Sequence, residues 1–324
     1  MLKAYVVNND RLRLVDDVVS KREKIVWIDL FEPTKEEETT IEDWIGVGIP
    51  TREEMDEIEI SSRLYTENGA FFMTATLPAH ADSGRATMGP VTFVLAQDRL
   101  ITIRYHEPRA FKTFPMRAEK ADTGCTTGET VLMGLLEAIV DRLADVLEGA
   151  SREIIEISHD IFHPEAKKAS KRDRDFRLLL RRIGRKEDLM SNLQDSLLTL
   201  RRVSSFFGQV TTAPAGDQDL RVRVKTLSRD VSSLSDHATF LSQKIIFLLD
   251  ATLGMIGIEQ NSIIKIVSVA AVVFLPPTLV ASIYGMNFEI MPELQWVLGY
   301  PFALALMVIS AVLPFWFFKS RGWL

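Results

Sequence analysis

The sequence is poor in residues that several classes of protein require. Its single cysteine, Cys125, excludes an intramolecular disulfide and a metal site built on several cysteines, and it fits a reducing compartment. The net charge of -6 argues against nucleic acid as the main partner, because backbone binding needs a basic surface. The stretch from Met1 to Tyr5 has no apolar run typical of a signal peptide. We therefore expect the charged portion to stay in the cytoplasm.

Patterns typical of catalysis are also missing. The sequence contains no Walker-type or dinucleotide fingerprint and no internal repeat, and its five histidines are scattered. His159 and His163 lie four residues apart, a spacing that would suit a metal on a helix. No further ligand is apparent beside them, so we favour a solvated helix face. We therefore predict that the protein is not an enzyme.

Two long uncharged runs lie near the C-terminal end. The first extends from Ile266 to Phe288 and the second from Trp296 to Phe318. At a rise of ~1.5 Å per residue, each is long enough to cross a bilayer core of ~30 Å. Because only a short loop separates them, we predict a transmembrane hairpin.

The charges that flank the two runs predict the orientation of the hairpin. The loop carries Glu289 and Glu293 and no lysine or arginine. The outer ends carry four basic residues: Lys244, Lys265, Lys319 and Arg321. The positive-inside rule then places both termini in the cytoplasm and the loop outside. We expect the membrane to be the cell inner (plasma) membrane.

The first part of the chain predicts a cytoplasmic α/β domain over residues 1–125. Two acid-rich stretches, Pro33–Ile45 and Thr51–Ser62, have helical spacing, and Thr34 with Glu37 forms a predicted capping box. The tripeptide Gln97–Arg99 is typical of a hairpin turn. Five runs read as strands: Ala4–Val7, Ile25–Leu30, Phe71–Leu77, Val91–Ala96 and Leu100–Arg104.

The next part predicts a region of long helices over residues 126–262. Glu129–Phe162 and Asp173–Phe207 are its first two helices. The second is strongly basic, and we favour a solvated or salt-bridged face over a nucleic-acid surface. Residues 217–283 then predict one helix that begins in the cytoplasm and crosses the membrane. The predicted membrane boundaries are 263–284 and 296–318 for the two spanning helices, 285–295 for the outer loop and 319–324 for a cytoplasmic tail.

A stripe of mostly small or polar residues lies along one side of the first membrane helix. Close helix packing explains such a stripe, and so does a water-filled pore shared by several subunits. The stripe has no acid or base within the membrane span, which suits a cation that keeps its water, as Mg²⁺ commonly does. Pro276 and Pro277 remove two backbone donors in mid-span and predict a bend. The members are three or four residues apart: Asp250, Gly254, Gly257, Asn261, Ile264, Ser268, Ala271, Leu275, Thr278 and Ser282.

The segment between the two runs resembles the CorA family of magnesium transporters. Gly285-Met286-Asn287 is that family's signature, and it stands at the end of one apolar helix and before a second. Trp27–Leu30 with Pro33, and Ile101–Arg104, resemble the family's cytoplasmic domain. The remaining matching segments are Phe288–Glu289, Met291–Leu294, Gly299–Pro301 and Trp323–Leu324.

The resemblance implies a homopentameric funnel in the lipid bilayer that passes Mg²⁺, and often Co²⁺ and Ni²⁺, down the electrochemical gradient. It implies a selectivity filter at Gly285, Met286 and Asn287, and closure when Mg²⁺ fills acidic sites between cytoplasmic subunits. Mg²⁺ is thus both the transported and the regulatory ion. Thr278 and Asn261 fall on pore positions of the family. Together with the stripe, this predicts Asn261, Ile264, Ser268, Ala271, Leu275 and Thr278 as pore-lining residues, with Glu289 and Glu293 in the outer loop. The candidate regulatory carboxylates are Asp82, Asp230, Asp236 and Asp250.

Two alternatives remain open at this point. A Zn²⁺ transporter of the same superfamily keeps the fold and changes the cargo. A membrane-anchored cytoplasmic sensor uses the hairpin only as a tether, which explains two spans but not a polar stripe that ends at Asn287.

Overall fold

A computed structural model describes residues 1–9, 11–15, 22–81, 86–120, 124–163, 169–211, 218–287 and 291–322, with backbone alone at 169–175, 293 and 294. The chain divides into two compact units, Met1–Leu249 and Asp250–Leu324. The first unit is a mixed α/β domain with long helices. The second contains two apolar helices.

Among the described residues of the first unit, seven strands form one sheet, in the order β2-β1-β3-β7-β6-β5-β4. Neighbours are antiparallel except for β3 and β7, which are parallel. All five predicted strands are confirmed, and the two that were not predicted, β2 and β4, are short strands at the sheet edges. The strands are β1 (Leu2–Asn8), β2 (Arg11–Val15), β3 (Ile25–Phe31), β4 (Leu64–Glu67), β5 (Ala70–Ala79), β6 (Thr87–Ala96) and β7 (Arg99–Arg104).

The turn between β6 and β7 confirms the predicted hairpin. Gln97 and Asp98 both have positive φ, 50° and 59°, as a tight two-residue hairpin turn requires. The amide of Gly128 donates to the Asp98 carbonyl at 2.9 Å. A Cβ at Gly128 would lie 2.5 Å from the Arg99 carbonyl carbon, so only glycine lets the following helix start against this turn.

Four short helices accompany the sheet: α1 (Lys35–Ile45), α2 (Arg52–Asp56), α3 (Ile60–Arg63) and α4 (Ala110–Lys120). The capping box is confirmed, since Thr34 accepts from the Glu37 amide and the Glu37 carboxylate accepts from the Thr34 amide. The single helix predicted over Thr51–Ser62 is wrong. Glu57 has extended backbone (ψ 141°) and ends α2. Met55 is the one buried residue of α2, and α3 has none, so no apolar stripe holds a longer helix against the sheet.

A buried ion pair joins the two parallel strands. Arg104 donates from Nε and Nη2 to the two carboxylate oxygens of Asp29 at 3.0 and 2.9 Å, and both side chains are 2% exposed. Thr102 donates to Asp29 at 2.9 Å, and Trp27 donates to Thr102 at 3.0 Å. Removing one partner of such a pair costs about 3–5 kcal/mol, because the other charge is left buried. The two segments quoted for their family resemblance thus form one bonded network across β3 and β7.

Three long helices follow: α5 (Gly128–Phe162), α6 (Ala169–Val210) and α7 (Gln218–Tyr284). All three confirm the predicted helices. Basic residues of α6 bridge to α5, with Arg182 at 2.7 Å from Asp160 and Lys186 at 2.7 Å from Glu153. The salt-bridged interpretation of the basic helix is therefore confirmed for these two residues.

The second unit holds the apolar part of α7, a 3-10 turn at Pro292–Gln295 and α8 (Gly299–Ser320). Within the described residues, two helices are long and apolar enough to cross a membrane, α7 and α8. Both include the apolar runs from which the spans were predicted; α7 ends at Tyr284, and α8 starts three residues after Trp296. The described residues of this unit that are buried are Thr252, Val269, Gly299 and Ala303.

Candidate functional site

The predicted pore stripe lies on continuous helix and is exposed in the single chain. The predicted pore-lining residues are exposed in α7: Asn261, Ile264, Ser268, Ala271, Leu275 and Thr278. Ile264 and Leu275 are 61% and 65% exposed. The buried residue of the apolar run, Val269, lies off the stripe. The stripe is therefore available to lipid, to water or to further copies of the chain.

The two mid-span prolines leave α7 unbroken. Helix continues through Pro276 and Pro277 to Tyr284. The prolines supply no amide hydrogens, and the next residue, Thr278, donates its hydroxyl to the Phe274 carbonyl at 2.7 Å. The prolines therefore remove two backbone hydrogen bonds without interrupting the helix, and the bend stays a prediction.

The Gly-Met-Asn triplet begins where α7 ends. The amide of Gly285 donates to the Ala281 carbonyl at 2.9 Å, and that of Met286 donates to the Ile283 carbonyl at 3.3 Å. A Cβ at Gly285 would lie 3.1 Å from the Ala281 oxygen, so glycine permits this close approach. Asn287 is outside the helix and exposed, which leaves its amide group available to solvent.

The outer loop is described only in part. Glu289 lies outside the described residues, and for Glu293 the structure describes the backbone, within the 3-10 turn. Next to that turn, the Trp296 ring meets Phe302 edge-on with 6.4 Å between centroids. Trp296 and Tyr300 are 60% and 76% exposed. Aromatic residues of this kind are enriched where a membrane meets water, which fits the start of a spanning helix.

The candidate regulatory carboxylates do not converge within the described part of one chain. Asp82 lies outside the described residues. Asp230, Asp236 and Asp250 are exposed on α7. Among the described residues, no group of three or more histidine, cysteine, aspartate or glutamate side chains is arranged to hold a metal ion. Their regulatory role stays a prediction.

His159 and His163 stack near the end of α5, with ring centroids 5.0 Å apart. Both are exposed, and Asp160 between them accepts from Arg182. No third described ligand completes a metal site at this pair. This arrangement agrees with the solvated helix face expected from the sequence.

The comparison with protein families decides what kind of chain carries this triplet. Residues 22–320 match the family described as CorA-like Mg²⁺ transporter protein. The chain belongs to the CorA family. Of the relatives it matches, "Magnesium transport protein CorA" of Pasteurella multocida (strain Pm70) is 34% identical over 325 residues, and the protein of that name from Escherichia coli (strain K12) is 35% identical over 330. Both matches cover all of this chain and all of the relative.

Solved structures agree with this CorA fold. The complete CorA magnesium transporter from Methanocaldococcus jannaschii has a TM-score of 0.78 at 20% identity and covers 100% of this chain and 99% of its own. Full-length CmaX scores 0.67 at 14% identity, with coverages of 100% and 98%. The cytoplasmic domain of ZntB from Vibrio parahaemolyticus RIMD 2210633 scores 0.54 at 8% identity, with coverages of 78% and 96%. At these identities the likeness shows the fold alone.

The structure also brings together acids of this CorA chain that sequence reasoning missed. Desolvation raises the pKa of the Asp141 carboxyl on α5, while Arg117 lowers it and Glu137, Asp145 and Asp230 raise it further. Asp230, one of the candidate regulatory carboxylates, therefore lies near Asp141 of α5. No sequence signal pointed to this grouping, because α5 and α7 are far apart along the chain and their facing residues depend on packing.

Proposed function

We propose that this protein is a homopentameric channel of the inner membrane that takes up Mg²⁺ down its electrochemical gradient. The observation that carries the proposal is the stripe of α7, which has no charged residue within the membrane span and ends at Gly285-Met286-Asn287 in a chain that matches CorA relatives over its full length. Those relatives are named for magnesium transport. Two spanning helices cannot enclose a channel, so the proposed pore needs several copies of α7.

The proposed mechanism passes an ion that keeps its water. Mg²⁺ dehydrates reluctantly, and a ring of carboxylates within the span would strip and hold it. The amide oxygen of Asn287, repeated around a ring of subunits, would hydrogen-bond the hydrated ion at the outer end. Hydroxyl and amide groups at Thr278, Ser268 and Asn261 then offer neutral acceptors along the path. Co²⁺ and Ni²⁺, which have the same charge, are the further cations included in the proposal.

Closure is the second part of the proposal. Mg²⁺ bridging carboxylates between cytoplasmic subunits would favour a tight, symmetric closed state, and its loss would leave those acids repelling one another. The shift is limited by the difference in Mg²⁺ affinity between the two states. Uptake measured against internal Mg²⁺ tests this part. Uptake that is indifferent to internal Mg²⁺ would rule out the feedback.

The decisive experiment measures Mg²⁺ uptake into vesicles that contain wild-type protein or Asn287→Ala. We expect the variant to lose uptake while its oligomer mass in detergent stays that of wild type. Gln295→Ala is the matched control, because Gln295 is another exposed amide after α7, in the neighbouring 3-10 turn. Normal uptake by Asn287→Ala would contradict the proposed filter.

The same vesicles test the cargo. Labelled Zn²⁺ presented beside Mg²⁺ should enter less than Mg²⁺ if the chain has the proposed preference. Preferential Zn²⁺ entry would favour the zinc branch of the superfamily. A protein that is monomeric or dimeric in detergent and carries neither ion would instead favour the tethered sensor.

A further inference from the structure

His159 and His163 form a side-chain pair at the end of α5 that the proposed function does not use. They are four residues apart, so their side chains lie on the same side of the helix. The rings are stacked, with 5.0 Å between centroids and 17° between planes. Both residues are exposed. This spacing on one helix face lets two imidazoles bind a common metal ion.

The stacked rings reach metal-binding geometry by rotation of their side chains. Two imidazole nitrogens bound to one ion lie roughly 3 Å apart, because each metal–nitrogen bond is about 2.0–2.1 Å. The near-parallel rings come to this separation when they tilt towards each other, and exposed side chains change rotamer readily. Solvent on the open side supplies water for the remaining coordination positions. A solvated helix face is therefore compatible with a two-histidine site.

The acidic neighbours of the pair are engaged by an arginine of α6. Arg182 donates to the Asp160 carboxylate at 2.7 Å, and its second terminal nitrogen lies 3.6 Å from the Glu156 carboxylate. The surface therefore offers imidazole nitrogen in preference to carboxylate oxygen. Mg²⁺ takes oxygen ligands, whereas imidazole suits transition metals and binds Ni²⁺ more tightly than Co²⁺. The pair should bind Ni²⁺ in the presence of Mg²⁺.

The backbone of the same two residues closes the last turn of α5. The amide of His163 donates to the His159 carbonyl at 2.9 Å, and His163 is the residue that caps the helix. A metal ion bound to both side chains would bridge this turn and oppose its fraying. Its positive charge would also lie at the negative end of the helix dipole, beside carbonyls that have no partner within the helix.

This turn is also a point of contact with the two following helices. Arg182 reaches it from α6, and Phe162 stacks on Phe247 of α7 with 6.0 Å between ring centroids. These residues all belong to the first compact unit. An ion that holds the turn therefore acts where α5 meets both neighbours.

We infer that His159 and His163 bind one divalent transition-metal ion, for which Ni²⁺ is the probe, and that the bound ion secures the last turn of α5. The inference does not rest on the proposed function, since one chain supplies both imidazoles. It gives the protein a site for Ni²⁺ and Co²⁺ that is separate from the candidate regulatory carboxylates and insensitive to Mg²⁺.

Calorimetric titration of Ni²⁺ into the full-length protein in detergent tests the site. The protein carries no polyhistidine tag, and a large excess of Mg²⁺ is present to occupy carboxylate sites. Wild type should bind one Ni²⁺ per chain at the histidine pair. His163→Ala should weaken this binding about tenfold or more, because groups that only orient a metal ligand already contribute ~10–100-fold. His159→Ala should have the same effect.

His237→Ala is the matched control for the titration. His237 is also exposed on a long helix, but it stacks on Phe240 and has no histidine four residues away. Its Ni²⁺ affinity should equal that of wild type. Unchanged Ni²⁺ binding in His163→Ala, an equal loss in His237→Ala, or displacement of Ni²⁺ by Mg²⁺ would overturn the inference.

Hydrogen exchange measures the last turn of α5 directly. Ni²⁺ should slow exchange of the His163 amide in wild type and leave it unchanged in His163→Ala, with the amides of β3 and β7 as an internal reference. Ni²⁺ that binds without slowing this exchange contradicts the bridge between the two histidines. Neither readout depends on ion uptake, so a wild-type protein without Mg²⁺ uptake contradicts the proposed function alone.

Discussion

The two compact units differ in what their apolar side chains contact. In Met1–Leu249, the sheet buries its core within one chain, and even the charged pair Asp29–Arg104 is enclosed and fully bonded. In Asp250–Leu324, apolar residues such as Phe274 and Leu279 are 70% and 62% exposed. Monomeric soluble proteins rarely expose contiguous apolar surface on this scale. The first unit is therefore built as a self-contained domain, whereas the second depends on lipid and, in the proposed pentamer, on further copies.

A charge introduced into the apolar second unit should have the largest effect of the changes predicted here. Phe274 is off the stripe, so Phe274→Asp would place a carboxylate against lipid or a packed helix. The free-energy cost of inserting this charge is about 2.5–3.5 kcal/mol per chain. We expect loss of the membrane-inserted oligomer, measured by membrane fractionation and by mass in detergent.

Ser268→Asp provides the paired comparison for this prediction. Ser268 lies on the stripe, so its carboxylate would face water in the proposed pore and assembly should survive. The added carboxylates should slow Mg²⁺ release and lower uptake. Equal loss of assembly in the two variants would argue against a water-filled stripe.

The buried ion pair of the first unit provides the next prediction. Arg104→Met leaves Asp29 charged, buried and without its bidentate partner. The expected loss is about 3–5 kcal/mol of unfolding free energy. Faster hydrogen exchange of β3 and β7 amides in the full-length protein measures it.

The double variant Asp29→Leu with Arg104→Met is the control for this prediction. Replacing both charges by apolar groups removes the stranded carboxylate, so stability should return to near that of wild type. A double variant as unstable as Arg104→Met would show that the cost comes from lost packing. Helices α7 and α8 should keep their exchange rates in either case.

A smaller effect is expected from pH, again in the first unit. Burial lowers the pKa of His106, its hydrogen bond to Leu77 opposes this, and nearby Arg104 and His80 lower it further. Nε2 lies 2.8 Å from the Leu77 carbonyl, and Nδ1 is buried with no hydrogen-bond partner among the described residues. Because the folded pKa is below the unfolded one, the neutral ring stabilises the fold above the unfolded value of ~6.5. That stability is lost as pH falls below it.

The pH prediction is checked by unfolding midpoints measured between neutral and mildly acidic pH. The wild-type slope should be at most about 1.4 kcal/mol per pH unit from this group. His106→Gln keeps a donor for Leu77 and cannot titrate, so its stability should depend less on pH. An identical slope in the two proteins would assign the acid sensitivity to other groups.

The sequence predicted the elements whose cause is local. The capping box at Thr34, the hairpin turn at Gln97 and Asp98, and the 67-residue helix α7 follow from neighbouring residues and periodicity. The end of helix α2 at Asp56 was not predicted. The spacing of the acidic residues resembles that of a helix, but the burial of apolar side chains decides whether the helix continues. Of the candidate site, the stripe and the triplet could be read from the sequence, since they are consecutive or helically spaced. The proximity of Asp230 to Asp141 could not be read from the sequence.

By itself, the sequence determined that two apolar helices lie near the C-terminal end, that a stripe with no charge in the membrane span leads to Gly285-Met286-Asn287, and that the chain resembles the CorA family. Those properties depend on residue order and on helix geometry, which are local. Tertiary structure alone decided which strands are neighbours, that Asp29 and Arg104 pair across β3 and β7, and which face of α7 stays open. Such contacts join residues distant along the chain, and only the balance of burial and hydrogen bonding in the folded protein selects among them.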